Sequence, residues 1–133
     1  MSQENVEIVR ELYEAWNGPD GWHAALEFIA EDFEWVNPPY AVESGTRFGR
    51  AGWFAARDSV EAAFHVGTHE VVEFRELGER VLCFCIFEAR TTADGVAFKQ
   101  DQPHLWSLRD GKVVRFEWFH DRREALEAVG LSE

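Results

Sequence analysis

The stretch 98–120, FKQDQPHLWSLRDGKVVRFEWFH, decides the fold. Its Asp110-Gly111 pair lies between two apolar runs, which is among the strongest short-range signals for a β-hairpin. Because side chains alternate between the faces of a strand, one face of this hairpin carries Gln100, Gln102, His104, Trp106, Leu108, Phe116, Trp118 and His120. Buried imidazoles and amides need hydrogen-bond partners, so this face is unusual for a plain hydrophobic core. We interpret it as the wall of a small-molecule cavity.

Turn signals upstream extend the hairpin into a sheet. The pairs Gly78-Glu79 and Asp94-Gly95 precede Asp110-Gly111 at intervals of about sixteen residues. Together these turns predict antiparallel strands over 69–77, 80–92, 96–109 and 112–120. The strands are about twice the usual length of roughly five to six residues. Long antiparallel strands twist and coil, and a coiled sheet with helices on its concave side encloses space.

The first half of the chain predicts the helices that fill the concave side. Apolar residues recur there at helical spacing in three segments, and Pro38-Pro39 ends a short alternating run. In chain order we expect a helix over 2–16, a helix capped by Asp20 that carries Trp22 to Ile29, a strand over 33–37, a loop over 40–48 and a helix over 53–64. The fold class is therefore α+β: a cone-shaped, curved antiparallel sheet wrapped on N-terminal helices and enclosing a pocket.

Length, charge and cysteine content limit the classes of function. A chain of 133 residues is the size of one domain, so we expect a single domain over 1–133. Its formal net charge of -12 repels phosphate backbones and anionic lipid headgroups, which disfavours nucleic-acid and membrane roles. Cys83 and Cys85 share one face of a strand and are poorly placed to bond each other. With no signal-peptide pattern, we expect a cytoplasmic, reducing location.

The order of these elements resembles the cone-shaped fold named after nuclear transport factor two. Five motifs resemble its SnoaL-like branch: ELYEAWN (11–17), FEWVNP (33–38), HLW (104–106), DGKVV (110–114) and DRREALEAVG (121–130). The resemblance covers essentially the full chain. The superfamily includes ketosteroid isomerase, scytalone dehydratase, limonene epoxide hydrolase, SnoaL-type polyketide cyclases and non-catalytic binding or dimerisation modules. It therefore implies a deep, mostly apolar pocket and does not choose a ligand.

Comparison with ketosteroid isomerase argues against its particular chemistry here. The resemblance places that enzyme's catalytic base at Asn37, which cannot accept a proton at neutral pH. Its oxyanion tyrosine falls near Leu12, with Tyr13 one place out of phase, and its protonated aspartate falls near His104. Since none of the three positions matches, steroid isomerase chemistry of that kind is not expected.

Our candidate catalytic residues are His104, His120 and Asn37, with His104 as base or acid and the other two assisting it. The imidazole of His104 titrates near neutral pH and can act as a general base or acid when a partner holds its tautomer. The alternative for His104 is a histidine hydrogen-bonded in the core or in a dimer interface. For His120, at the end of the last strand, the alternative is a structural role at the joint between strand and helix.

Aromatic and amide side chains supply the candidates for ligand binding. The full set is Tyr13, Trp16, Trp35, Trp53, Phe84, Glu88, Gln102, Trp106, Phe116 and Trp118. Aromatic walls suit flat hydrophobic ligands, although the same rings would serve equally well as core residues. The prediction for Phe84 and Glu88 requires that the 80–92 strand turns its even-numbered residues inward.

Metal and cofactor sites are not expected. His65 and His69 are four residues apart, but Gly67 separates them at a predicted change from helix to strand, so helical ligand geometry does not hold. No nucleophile elbow or phosphate-binding glycine loop is present. Three hypotheses remain: a cofactor-free enzyme acting on a small hydrophobic carbonyl or polyketide-like molecule, a non-catalytic binding protein, and a structural module. A homodimer is expected through an outward apolar stripe of Cys83, Cys85, Phe87, Leu105 and Phe119.

Overall fold

The computed structural model describes residues 2–41 and 44–131. Within them, helices and strands are grouped along the chain and do not alternate, as expected of an α+β fold. The elements are α1 (Ser2–Trp16), α2 (Gly21–Ala24), a 3-10 helix (Ala25–Phe28), β1 (Ile29–Asn37), β2 (Gly45–Phe48), α3 (Gly49–Ala63), β3 (Phe64–Leu77), β4 (Arg80–Thr91), β5 (Ala97–Asp101), β6 (His104–Arg109), β7 (Lys112–Trp118) and α4 (Arg122–Ala128).

The strands form one curved sheet in the order β2-β1-β7-β6-β4-β3, with β5 also paired to β4. All neighbours are antiparallel except β1 and β7, which run parallel. The prediction of a curved sheet wrapped on helices is confirmed, but the sheet is mixed. Strand β2 lies inside the region predicted as a loop over 40–48, where Gly45 pairs with Asn37 at the end of β1.

The turn at 110–111 is confirmed in detail. Asp110 has φ 51° and Gly111 has φ 79°, and two successive positive φ values are those of the type I′ turn that joins hairpin strands. Arg109 and Lys112 pair directly on either side of it. A register shift between Ser107 and Leu108 then brings Trp106 opposite Phe116 and His104 opposite Trp118, so both strands present the predicted faces.

The strand predicted over 96–109 is interrupted at Gln102 and Pro103, giving β5 and β6. Proline lacks the N–H that a ladder bond requires. The pairing with β4 nevertheless continues in one register, since Ile86 pairs with Asp101 before the break and Cys83 pairs with His104 after it. The Gln102 N–H also donates to the Cys85 carbonyl at 2.8 Å. Side-chain alternation is therefore preserved across the break.

The N-terminal helices pack on the concave face of the sheet. The α1 residues at helical spacing, Val6, Val9, Leu12, Tyr13 and Trp16, are all buried, as predicted. The predicted second helix is shorter than expected: α2 ends at Ala24, a 3-10 turn follows, and Ile29 already pairs with Val113 of β7. The Asp20 side chain makes no capping hydrogen bond.

Strand β4 is buried on both faces, and the predicted orientation of its side chains is wrong. Cys83 and Cys85 belong to the main core on the concave side, while Leu82 and Phe84 belong to a second cluster on the outer side. Glu88 is exposed. The predicted orientation fails because both faces of β4 are apolar, so alternation carries no sign that distinguishes inside from outside.

The outer cluster lies beneath α4. Leu105 and Phe119 do face outward as predicted, but they pack there with Leu126 of α4. The Asp121 side chain caps this helix by accepting a hydrogen bond from the Glu124 N–H at 2.9 Å, as the capping-box pattern predicted. The stripe expected to dimerise is therefore not an open surface, since three of its five residues face the concave side and α4 covers the other two. The homodimer stays a prediction.

No helix in the described part of the chain is long and apolar enough to cross a membrane.

Candidate functional site

The sheet and α3 enclose a cavity of about 620 Å³. Its apolar lining is largely aromatic and includes Trp16, Trp35, Phe64, Phe87, Phe98 and Trp118. Its polar lining comprises Asn37, Tyr40, Arg47, Ser59, His69, Gln100, Gln102 and His120. No aspartate or glutamate lines it among residues 2–41 and 44–131. The wall is therefore aromatic, with hydrogen-bonding groups that are mostly uncharged.

His104 lies behind this wall in a closed hydrogen-bond network. Its Nε2 is 2.8 Å from Gln102 Oε1 and its Nδ1 is 2.6 Å from Tyr13 Oη. An amide oxygen only accepts, so His104 carries its proton on Nε2, and Nδ1 accepts from the Tyr13 hydroxyl. The Tyr13 oxygen in turn accepts from Trp106 Nε1 at 2.8 Å. Every nitrogen of the ring has a protein partner.

This closed hydrogen-bond network cannot supply the general base predicted at His104. The ring is fully buried and does not line the cavity. Burial, with a smaller contribution from nearby His69, holds the pKa of His104 well below its usual range. The imidazole is therefore neutral at physiological pH, and its nitrogens are already engaged.

The two cysteines are packing groups beside this hydrogen-bond network. Cys85 Sγ lies 3.4 Å from Tyr13 Oη and 3.5 Å from His104 Nδ1, and both thiols are free and buried. Burial raises the pKa of Cys85 to about 12. A thiol that stays protonated is a poor nucleophile, so Cys85 and His104 do not form a reactive pair.

His69 is one of several cavity residues that the sequence pattern did not indicate. Its ring stacks on Trp16 with centroids 4.2 Å apart and on Phe87 at 4.9 Å. The Asn17 side chain fixes its backbone, accepting from the His69 N–H at 2.8 Å and donating to the carbonyl at 2.7 Å. Burial lowers the pKa of His69 to about 3, and a hydrogen bond with Gln102 opposes that shift with a smaller effect. The His69 imidazole on the cavity wall is therefore neutral at physiological pH.

Asn37 lies beside Trp118, two strands away from His104, with its amide held by two indoles. Its Oδ1 accepts from Trp35 Nε1 and from Trp118 Nε1, both at 2.9 Å. Reversing the amide would set its NH₂ group against both indole N–H groups. Leaving each of these donors without an acceptor costs about 1–3 kcal/mol, so the observed orientation is strongly preferred.

A sequence profile of the SnoaL-like domain matches residues 9–116, most of the chain. The chain belongs to the SnoaL-like domain family. This agrees with the resemblance seen in the sequence. No curated protein matches the chain.

Solved structures of the cone fold resemble this SnoaL-like chain over nearly its full length. An NTF2-like protein of unknown function from Burkholderia pseudomallei is 27% identical, with 96% of each chain covered and a TM-score of 0.77. TerC, co-crystallised with polyporic acid, is 29% identical over 89% of this chain and 92% of its own, with a TM-score of 0.78. IdmH from Streptomyces antibioticus, provisionally a polyketide cyclase, is 23% identical over 96% of this chain and 99% of its own, with a TM-score of 0.74.

The structure of this SnoaL-like chain separates our predicted site residues into three groups. Those that line the cavity are Trp16, Trp35, Asn37, Gln102, Trp118 and His120. Those buried behind its wall are Tyr13, Trp53, His104, Trp106 and Phe116. Phe84 and Glu88 are not in the cavity, because β4 turns them to the outer side. The aromatic candidates thus divide between the cavity wall and the core.

A second cavity of about 440 Å³ adjoins the first. The two share Trp16, Val60, Phe64, His69 and Phe87 as a common wall. The Phe87 ring rests against the backbone of Gly67, where an added Cβ would lie 2.8 Å from a ring carbon. Any larger residue at 67 would therefore push the Phe87 ring out of this wall.

Metal-ligand side chains do not cluster in the described residues: no three of His, Cys, Asp and Glu are placed to hold one ion. His65 and His69 both lie in β3, so the helix-to-strand change expected between them is also incorrect.

Proposed function

We propose that this SnoaL-like protein binds a flat, hydrophobic small molecule bearing carbonyl or hydroxyl oxygens in the cavity of about 620 Å³. The observation that carries the proposal is the cavity itself, with an aromatic lining and a few polar groups held in fixed orientations. Pockets of roughly 300–1,000 Å³ with such a lining are typical of small-molecule sites.

The chemistry of the lining favours recognition through neutral hydrogen bonds. Trp16 and Phe87 hold the His69 imidazole between them, and its lowered pKa keeps it uncharged. Asn37 and Gln102 contribute amides whose oxygens are already engaged inside the protein. What these two amides offer a ligand is chiefly their NH₂ groups. A ligand with oxygen acceptors on an aromatic or quinone-like ring system would suit both the aromatic cavity wall and these NH₂ donors.

The relationship to TerC supports an organic ligand of this kind. TerC was co-crystallised with polyporic acid, and it shares 29% identity with this chain over most of both lengths. Polyporic acid is therefore the first compound to test.

Calorimetric titration of a panel that begins with polyporic acid tests the proposal. Val60 lines both cavities, so Val60→Trp would place a large ring in the proposed site and should reduce affinity at least tenfold. Ala62→Trp is the matched control, because Ala62 is exposed on the same helix and lines neither cavity. Equal affinity in wild type and Val60→Trp would place binding outside the cavity and contradict the proposal.

A further inference from the structure

We propose that Asn37 is a specificity-determining residue that recognises a carbonyl oxygen of the ligand through its Nδ2 group. Trp35 and Trp118 act as positioning residues, because their indole N–H groups hold the amide oxygen away from the ligand. The inference rests on the proposed ligand-binding function and names the chemical group that the site selects.

The arrangement follows from the parallel pairing of β1 and β7. Val36 pairs with Glu117, so the next residues along the two strands, Asn37 and Trp118, lie side by side. Trp35, two residues before Asn37, points to the same face. Three side chains from two strand ends therefore converge on one point of the cavity wall.

The free half of the amide faces the cavity. Among residues 2–41 and 44–131, Asn37 Nδ2 has no hydrogen-bond partner. In the same residues no fully buried side-chain nitrogen or oxygen lacks a partner, so Nδ2 must have access to open space. Since Asn37 lines the cavity, that space is the ligand site.

The donor is fixed in character as well as in position. Pairing Asn37 Oδ1 with two indole donors removes its acceptor capacity toward the ligand. A carboxamide does not titrate in the physiological range, so it offers a donor at every working pH. The site therefore selects an acceptor, such as a ketone or quinone oxygen, over a hydroxyl that needs an acceptor.

An isosteric substitution reverses this character. In Asn37→Asp one carboxylate oxygen can still accept from both indoles, while the other replaces the cavity-facing donor with an acceptor. We would titrate both proteins with three probes of similar size: 1,4-naphthoquinone, which only accepts, 2-naphthol, which donates, and naphthalene, which does neither. Wild type should bind the quinone about tenfold more tightly than naphthalene, the effect of one net hydrogen bond. Asn37→Asp should lose that preference and favour 2-naphthol.

A second variant tests the positioning role. Trp118→Phe keeps an aromatic ring in the wall and removes the N–H that orients the amide, so the preference for quinone should fall part of the way. Trp22→Phe is the matched control, since Trp22 donates no hydrogen bond to Asn37. The infrared carbonyl stretch of bound 1,4-naphthoquinone should lie at lower frequency in wild type and Trp22→Phe than in Trp118→Phe. Circular dichroism checks that each variant folds.

The outcomes separate this inference from the proposed function. Binding of all three probes with equal affinity, blocked by Val60→Trp, would overturn the role of Asn37 and leave the ligand site standing. A quinone preference that survives in Asn37→Asp would do the same. Failure of every probe, and of polyporic acid, to bind wild type would overturn both.

Discussion

The hydrogen bonds around His104 and those around Asn37 differ in one respect. At His104, Tyr13 and Gln102 engage both ring nitrogens. At Asn37, two indoles engage the amide oxygen, and the nitrogen is left facing the cavity. A buried polar group whose bonds are complete belongs to the core, whereas one whose bonds are half complete is available to a ligand. The difference separates a network that completes the core from a group that faces the proposed ligand site, although the two are only two strands apart, with Trp118 between them.

The largest expected effect on stability comes from breaking the hydrogen-bond network around His104. His104→Ala would remove the partner of Tyr13 and Gln102 and leave a void, which should lower the free energy of unfolding by about 3–4 kcal/mol. Urea titration followed by fluorescence measures it. The matched control is His120→Ala, an exposed histidine, which should change stability by no more than about 0.5 kcal/mol. Unchanged stability with lost ligand affinity would instead make His104 part of the binding site.

A smaller effect is expected from pH, because both buried histidines are neutral in the folded state. The pKa of His69 falls from 6.5 in the unfolded chain to about 3 in the folded protein. The unfolded state therefore binds a proton first as the pH drops below 6.5, and stability is lost from there toward pH 3. Between pH 7 and 5 this loss is about 2 kcal/mol for His69, and the lowered pKa of His104 adds to it with the same sign.

Stability curves at pH 7 and 5 test this prediction. His69→Gln should lose about 2 kcal/mol less than wild type over that interval, whatever its stability at pH 7. His65→Gln, which replaces an exposed histidine of the same strand, is the control. A wild-type slope retained in His69→Gln would show that this ring is not the neutral group in the cavity wall.

The smallest effect on stability is expected at α4, outside the hydrogen-bond networks of His104 and Asn37. Asp121→Ala removes the cap of α4 and should cost about 1 kcal/mol, without changing ligand affinity. Glu127→Ala, which removes an exposed ion pair with Arg123, should cost about 0.5 kcal/mol or less. A drop in ligand affinity for Asp121→Ala would show that the outer cluster is coupled to the cavity. The distinction between core residues and ligand-facing residues would then need revision.

The sequence predicted the β6–β7 hairpin well because its two faces differ in chemistry. Polar groups such as Gln102 and His104 alternate with apolar Leu105, and this contrast marks the inward face even though the register of the hairpin shifts between Ser107 and Leu108. Strand β4 lacked that contrast, since Cys83 and Leu82 are equally apolar and both are buried. Its orientation depends on α4 covering the outer face, which is a tertiary fact. Alternation within β4 cannot reveal it.

The site was predicted only in part for a related reason. His69 pairs with Phe87 of β4, so the error in β4 also hid the face that His69 occupies. Asn37 was selected, but as a partner in acid–base work. Its environment depends on the parallel pairing with β7, whereas the predicted sheet was antiparallel throughout. Which groups a residue touches across strands decides its chemistry, and strand patterns do not contain that information.

The interruption at Pro103 has a consequence for which changes this chain can accept. The ladder with β4 keeps one register on both sides of the break, and the Pro103 carbonyl is held by the Phe119 N–H at 3.0 Å. Replacing a residue there would leave the faces of β5 and β6 unchanged. Inserting or deleting one residue would turn Gln100 out of the cavity while His104 stayed in place. At this point the chain tolerates changes of residue far better than changes of length.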